Sequence, residues 1–219
     1  MKTLKILLIA ITLWSFIAKA QTTQPQQHSH VAASATVHHK RESLVRGVSF
    51  NAFRASVPLF LDSTKILIAR KSWRLWKEEA WSGLERFFTA DSLNGGWPPN
   101  YGAATLTVVT MQPQMLIDRF GGYYTADSIF HDKGTFVCRE GVPFAKRALP
   151  ASTLKSSYRE YKILKAIPGA KKGVIIPWFN EPGLGIQYNL PYTIDSLVKG
   201  GYIVVVSSQP PKWASSLSK

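Results

Sequence analysis

The sequence predicts an α+β fold: a small, mostly antiparallel β-sheet domain with short helices, preceded by an amphipathic helical segment. Three observations predict it. Apolar residues recur at steps of three and four between Ile66 and Phe87. Beyond Asn94-Gly95-Gly96 the pattern changes to short apolar runs separated by Pro and Gly. The 219 residues are 45% hydrophobic and 12% aromatic, enough for one sizeable core and too apolar for a disordered chain.

The chain opens with Lys2 and Lys5 edging an apolar run from Ile6 to Ala18, closed by Ala18-Lys19-Ala20. The run is too short for a comfortable bilayer span, and small residues at 18 and 20 suit signal peptidase. Residues 1–20 therefore read as a cleaved leader, placing the mature protein outside the cytoplasm, secreted or periplasmic, with no membrane span after cleavage. Cleavage removes three lysines and no acid, so the formal charge falls from +14 to +11 and a basic chain remains. Such a charge favours an anionic substrate or partner. With Cys138 as its single cysteine the chain makes no internal disulfide, and that residue reads as a small buried hydrophobe rather than a nucleophile.

Residues 21–47, rich in Gln, Thr, Ser, Ala and His, have little to bury and read as a flexible linker. His28, His30, His38 and His39 lie within it with no Cys, Asp or Glu among them, so no metal site is assigned there, and no acidic cluster elsewhere argues for calcium. Residues 48–93 form the helical region. Ile66, Ala69, Trp73, Trp76, Ala80, Leu84 and Phe87 mark one face of a helix about 25 residues long, with Ser63 as its cap. Lys65, Arg70, Lys71, Arg74, Lys77 and Arg86 populate the other, which reads as a solvated face. Trp73, Trp76 and Trp81 fit docking against the domain that follows better than insertion into lipid. That domain is 94–208, with strands at Thr105–Met111, Met115–Phe120, Gly173–Trp178 and Tyr202–Val206, a short helix at Thr193–Lys199, and a tail at 209–219.

Four segments mix rigid turns with one polar side chain: Trp97-Pro98-Pro99-Asn100, Asp118-Arg119-Phe120-Gly121, Gly141–Pro150 (GVPFAKRALP) and Pro177–Tyr188 (PWFNEPGLGIQY). Pro fixes φ and Gly admits φ above zero, so such segments hold a neighbouring Arg or Gln in place and let a ligand approach the backbone. Each alone reads as a tight turn. In this order, from Trp97 to Val206, they resemble the TNT family, named for the tuberculosis necrotizing toxin, whose domain hydrolyses NAD+ to nicotinamide and ADP-ribose.

The resemblance implies Gln187 of GIQY as the catalytic glutamine, Arg119 of DRFG and Arg147 of RALP as the basic residues of the site, and Phe136 of GTF as the aromatic residue beside the nicotinamide ring. It implies no cofactor, with NAD+ or NADP+ as substrate, no nucleic acid, and a candidate cognate immunity protein. Without the resemblance, two surface arginines, a strand-edge Gln and a core Phe are the ordinary readings. The chain departs from the family pattern in a longer loop, Gly122–Lys133, in Thr135 where many members carry Arg, in Arg159 where some carry His, and in Glu181, Leu184 and Ile186 of the last block. Arg139, Lys146 and Arg159 are the cations that could read an extra phosphate. Two alternatives stand beside hydrolysis: ADP-ribosyl transfer from the same site, and a non-catalytic basic module binding envelope polymer, lipid or nucleic acid.

Overall fold

A computed structural model describes residues 42–212; the expected leader at 1–20, most of the expected linker and the end of the expected tail lie outside them. Ser49 opens α1 (Phe50–Ala55), its hydroxyl accepting from Ala52 N at 3.1 Å. The single long helix expected from Ile66 to Phe87 is two, α2 (Ile66–Lys77) and α3 (Trp81–Ala90). Between them Glu79 takes φ 56°, a left-handed conformation that ends the first helix. The apolar spacing runs through the break because both helices bury the same side, with Trp76, Leu84 and Phe88 fully enclosed. The expected cap at Ser63 is also corrected. Asp62 accepts from Thr64 N at 2.8 Å and caps a 3-10 turn, Ser63–Lys65, that feeds α2.

Arg46 closes the other end of α2. It donates to the carbonyls of Trp76 (2.7 Å) and Lys77 (3.2 Å), pairs with Glu79 (3.2 Å) and lies 4.2 Å over the Trp76 ring. A cation on the last carbonyls offsets their unpaired lone pairs and the negative end of the helix. Val45 and Val48 form a β-bridge around this residue, so the last residues of the expected linker belong to the fold.

Among the described residues nine strands follow: β1 (Thr107–Met111), β2 (Leu116–Phe120), β3 (Tyr123–Tyr124), β4 (Phe130–His131), β5 (Phe136–Arg139), β6 (Tyr158–Ile163), β7 (Ile167–Val174), β8 (Ile186–Asn189) and β9 (Ile203–Ser207). Seven make one antiparallel sheet in the order β1-β7-β8-β5-β2-β6-β9, and β3 and β4 form a separate hairpin. The α+β expectation holds. The strand read at 173–178 is shifted: β7 ends at Val174, and its Pro168, Gly169 and paired lysines had the look of a turn. β5, β6 and β8 were not read as strands.

Alternation along the strands divides the core. Val137, Ile117 and Tyr161 face α4 (Ile194–Lys199), whose N-cap is Thr193, together with Ile194, Leu197 and Ile203. Cys138 points the other way, into the cluster of Phe53, Phe60, Trp76, Leu84, Phe88, Ile176 and Trp178. The helices thus dock on one face of the sheet. Trp73 stacks on Trp76 at 5.0 Å, and the Trp76 indole donates to Ala103 O at 3.1 Å. The tryptophans are packing residues, while Arg70, Lys71, Arg74, Lys77 and Arg86 remain exposed. Among the described residues no helix is long and apolar enough to cross a membrane.

Candidate active site

The helical layer also shapes the loops that carry the motifs. Trp178 donates from its indole to Gly96 O (2.8 Å), and Phe179 N donates to Glu85 of α3 (2.6 Å). Asn100 N donates to the Ser56 hydroxyl at 2.7 Å, and its amide donates to Ala103 O at 2.8 Å. These bonds hold Asn100, Tyr101 and Gly102 with φ of 49°, 55° and 76°, three left-handed residues in a row. Strain of this kind persists only where the surroundings impose it, and it gathers at working sites.

Between this segment and the ends of β2, β5 and β8 opens a cleft of about 470 Å³. All four residues singled out in the sequence line it: Arg119, Phe136, Arg147 and Gln187. Antiparallel registry explains the convergence, since Cys138 of β5 pairs with both Asp118 of β2 and Gln187 of β8. Gln187 donates from its amide nitrogen to Tyr101 O at 2.5 Å. That bond orients the carboxamide, whose oxygen has no protein hydrogen bond among the described residues. Phe136, 37% exposed, presents its ring beside that of Tyr101 at 6.1 Å. Trp97, edge-to-face with Phe179 at 5.1 Å, extends the aromatic rim.

The two arginines differ in what they touch. Arg147 is 3% exposed and grips fully buried Asp118 bidentately, at 2.6 and 2.9 Å; its Nε and Nη2 also donate to Val142 O. Tyr158 donates its hydroxyl to the same carboxylate at 2.9 Å. Arg147 lines the cleft with most of its guanidinium committed to Asp118 and Val142 O, which also makes it part of the cleft floor. Burial first, then the Asp118 charge, pushes the Tyr158 phenol up, which keeps it a donor. Arg119 instead lies in a slot between Gly121 and Gly134, where a Cβ on either glycine would collide with its guanidinium. Its Nε pairs with Asp132 at 3.1 Å and its Nη1 donates to Phe136 O at 3.3 Å.

Other candidates lie elsewhere. Arg139, Lys146 and Arg159 do not line the cleft; Arg159 donates to Tyr124 O–H oxygen at 3.2 Å and sits 3.7 Å over the Phe130 ring. Glu181 forms a bridge with Trp178 inside its turn. The four histidines of the linker fall outside the described residues, and among those described no cluster of three His, Cys, Asp or Glu side chains could hold a metal. Cys138 is buried on the cleft wall, and desolvation raises its thiol to about 11. At pH 8 only about one thiol in a thousand is then ionised. Thiol reagents at that pH are expected to leave the native protein unlabelled and to modify Cys138 only after denaturation, as mass spectrometry would read.

Residues 110–206 match the tuberculosis necrotizing toxin (TNT) family. A curated relative, the conidial surface nicotinamide adenine dinucleotide glycohydrolase of Aspergillus fumigatus, is 33% identical over 112 residues, 48% of this chain. The chain spans 42% of that relative's length. The solved structure of the tuberculosis necrotizing toxin complexed with its immunity factor aligns with a TM-score of 0.39 and 22% identity, covering 50% of this chain and 60% of that one. The TNT-family match begins within β1 and ends in β9, so it holds β2 to β8 whole and three of the four cleft motifs. The Trp97–Asn100 block precedes it and reaches the cleft through the fold. Two residues the motifs did not single out as site residues, Asp118 and Asp132, are the carboxylates these arginines pair with. Their signal was available in part, because Asp118 stands beside Arg119 in the DRFG block.

Proposed function

We propose that this chain is an exported NAD+ glycohydrolase that cleaves NAD+, or NADP+, to nicotinamide and ADP-ribose and acts as a toxin. The observation that carries the reading is the meeting of Arg119, Phe136 and Gln187 in one cleft of a TNT-family domain. The Aspergillus fumigatus relative, named for the same activity and for the conidial surface, supports both the reaction and the export.

Arg119 would receive the diphosphate. Its planar fork pairs with phosphate oxygens without losing charge, and Asp132 and Phe136 O occupy only part of its donor set. Phe136, with the Tyr101 ring beside it, offers a flat surface for the nicotinamide. The nicotinamide ring already bears a positive charge and leaves as a neutral base, so the reaction needs no general acid. The site must orient the ribose and stabilise an oxocarbenium-like transition state. Gln187, its nitrogen held by Tyr101 O, can accept from a ribose hydroxyl or the attacking water through its oxygen. Water then bonds to the ribose carbon as the nicotinamide bond breaks, the bonding pair leaves with the neutral nicotinamide, and the water's proton passes to solvent. A cognate immunity protein that covers this cleft belongs to the same reading.

The test is to incubate the purified protein with NAD+ and follow nicotinamide and ADP-ribose together. Equal release of both is expected. Nicotinamide without free ADP-ribose would turn the reading to transfer or cyclisation. A folded protein that leaves NAD+ and NADP+ intact would refute it in favour of a binding module.

A further inference from the structure

The segment 122–133, longer than the family pattern leads one to expect, forms the β3–β4 hairpin, pairing Tyr123 with His131 and Tyr124 with Phe130. Arg159 clamps it from β6 through Tyr124 and the Phe130 ring. The chain leaves the hairpin through Asp132, 1% exposed, whose Oδ2 has no hydrogen bond to the described residues and meets Arg119 Nε as an ion pair. Its backbone N donates to Asp195 Oδ1 at 2.8 Å and its backbone O accepts from Asp195 N at 3.0 Å. One carboxylate oxygen accepts from Gly134 N at 2.9 Å; the other faces Arg119 Nε at 3.1 Å. Ile194 N donates to Gly134 O at 3.0 Å, so the start of α4 is stitched to residues 132–134 on both sides.

Arg119 therefore meets a carboxylate that cannot move unless the hairpin exit and α4 move with it. A free arginine side chain samples many rotamers, and ordering it on ligand binding costs free energy that prior ordering removes. Asp132 holds the Nε edge, Phe136 O holds Nη1, and the two glycines leave no room for a tilt. Nη2 has no hydrogen bond to the described residues.

We propose that Asp132, fixed by Asp195, is the positioning residue that aims Arg119 at the substrate diphosphate. This rests on the reading of the cleft as an NAD+ site. Asp132 touches no substrate; it acts through Arg119, and the hairpin is the structural element that delivers it.

A double-mutant cycle tests this. NAD+ cleavage is measured for Asp132→Asn, Asp195→Ala, Arg119→Lys and the pair Asp132→Asn/Arg119→Lys. Positioning predicts that Asp132→Asn lowers kcat/KM about 10- to 100-fold, that Asp195→Ala lowers it less, and that Asp132→Asn costs almost nothing further once Arg119 is lysine. Equal losses in both backgrounds would overturn the proposal. If Asp132→Asn does not fold, Asp195→Ala, whose side chain is 38% exposed, carries the same cycle. A second readout is independent of turnover: the Arg119 Nε–H resonance, identified by its loss in Arg119→Lys, is expected to be slowly exchanging in the wild type and to join the exposed arginines when Asp132 or Asp195 is replaced. An unchanged resonance would overturn the proposal. If that resonance moves as expected while wild type leaves NAD+ intact, the glycohydrolase reading alone fails and Asp132 stands as the residue that positions Arg119.

Discussion

Gln187→Ala is expected to lower kcat for NAD+ cleavage about 100- to 1,000-fold, the loss seen when one preorganised hydrogen-bonding group is removed from a developing charge. The fold should survive. Gln187 is half-buried on β8, and its side chain makes one hydrogen bond, to Tyr101 O, of the kind that contributes about 1 kcal/mol. Gln187→Glu separates two roles. Glutamate keeps the size and an acceptor oxygen but loses the donor to Tyr101 O, so a comparable loss of kcat would mean that the bond orienting the carboxamide is what catalysis needs. Steady-state kinetics with a thermal melt on each variant decide the matter, and full activity in a folded Gln187→Ala protein would remove this residue from the mechanism.

Arg147→Ala is expected to act mainly on stability, lowering it by about 3–5 kcal/mol, because it strands the fully buried Asp118 carboxylate without its bidentate partner. At about 2–4 °C per kcal/mol for a chain of this size, that is a fall in Tm on the order of 10 °C. Replacing both members, Asp118→Leu with Arg147→Met, should recover much of the loss, since a buried pair can be exchanged for apolar groups of similar volume at little cost. Arg119→Ala should remove more activity; it also strands Asp132, but that carboxylate keeps the Gly134 N bond, so the loss of stability is expected to be smaller than for Arg147→Ala. Thermal unfolding of the three variants beside their turnover distinguishes floor from clamp. A fully stable Arg147→Ala protein with abolished NAD+ binding would restore the clamp to Arg147.

The sequence by itself determined a good deal. Alternation and turn chemistry placed β1, β2, β9 and α4 within a few residues, and the ordered blocks from Trp97 to Tyr188 located the cleft residues before any geometry was known. Alternation failed where function and packing compete for the same strand. β5 and β8 are four residues each, and their Phe136 and Gln187 face a cleft, so neither shows the repeat of a half-buried strand. β6 carries Arg159 and Lys162, and β7 the consecutive Lys171 and Lys172, on both faces of their strands, so neither shows a clean alternation. The helix over residues 66–87 had the right face and the wrong continuity, since a left-handed residue at Glu79 changes direction without disturbing the spacing of apolar residues.

Only the tertiary structure distinguished the surroundings of the two cleft arginines, Arg147 on a fully buried bidentate carboxylate and Arg119 in a glycine slot. Both stand in motifs of equal weight, and nothing local tells them apart. The partners that differentiate them are remote in sequence: Asp118 lies 29 residues from Arg147, and Asp132, which pairs with Arg119, is itself held by Asp195, 63 residues further on. A cation's role follows from whether a buried carboxylate already satisfies it. That is a property of long-range strand registry and helix docking, and neither leaves a periodic trace along the chain.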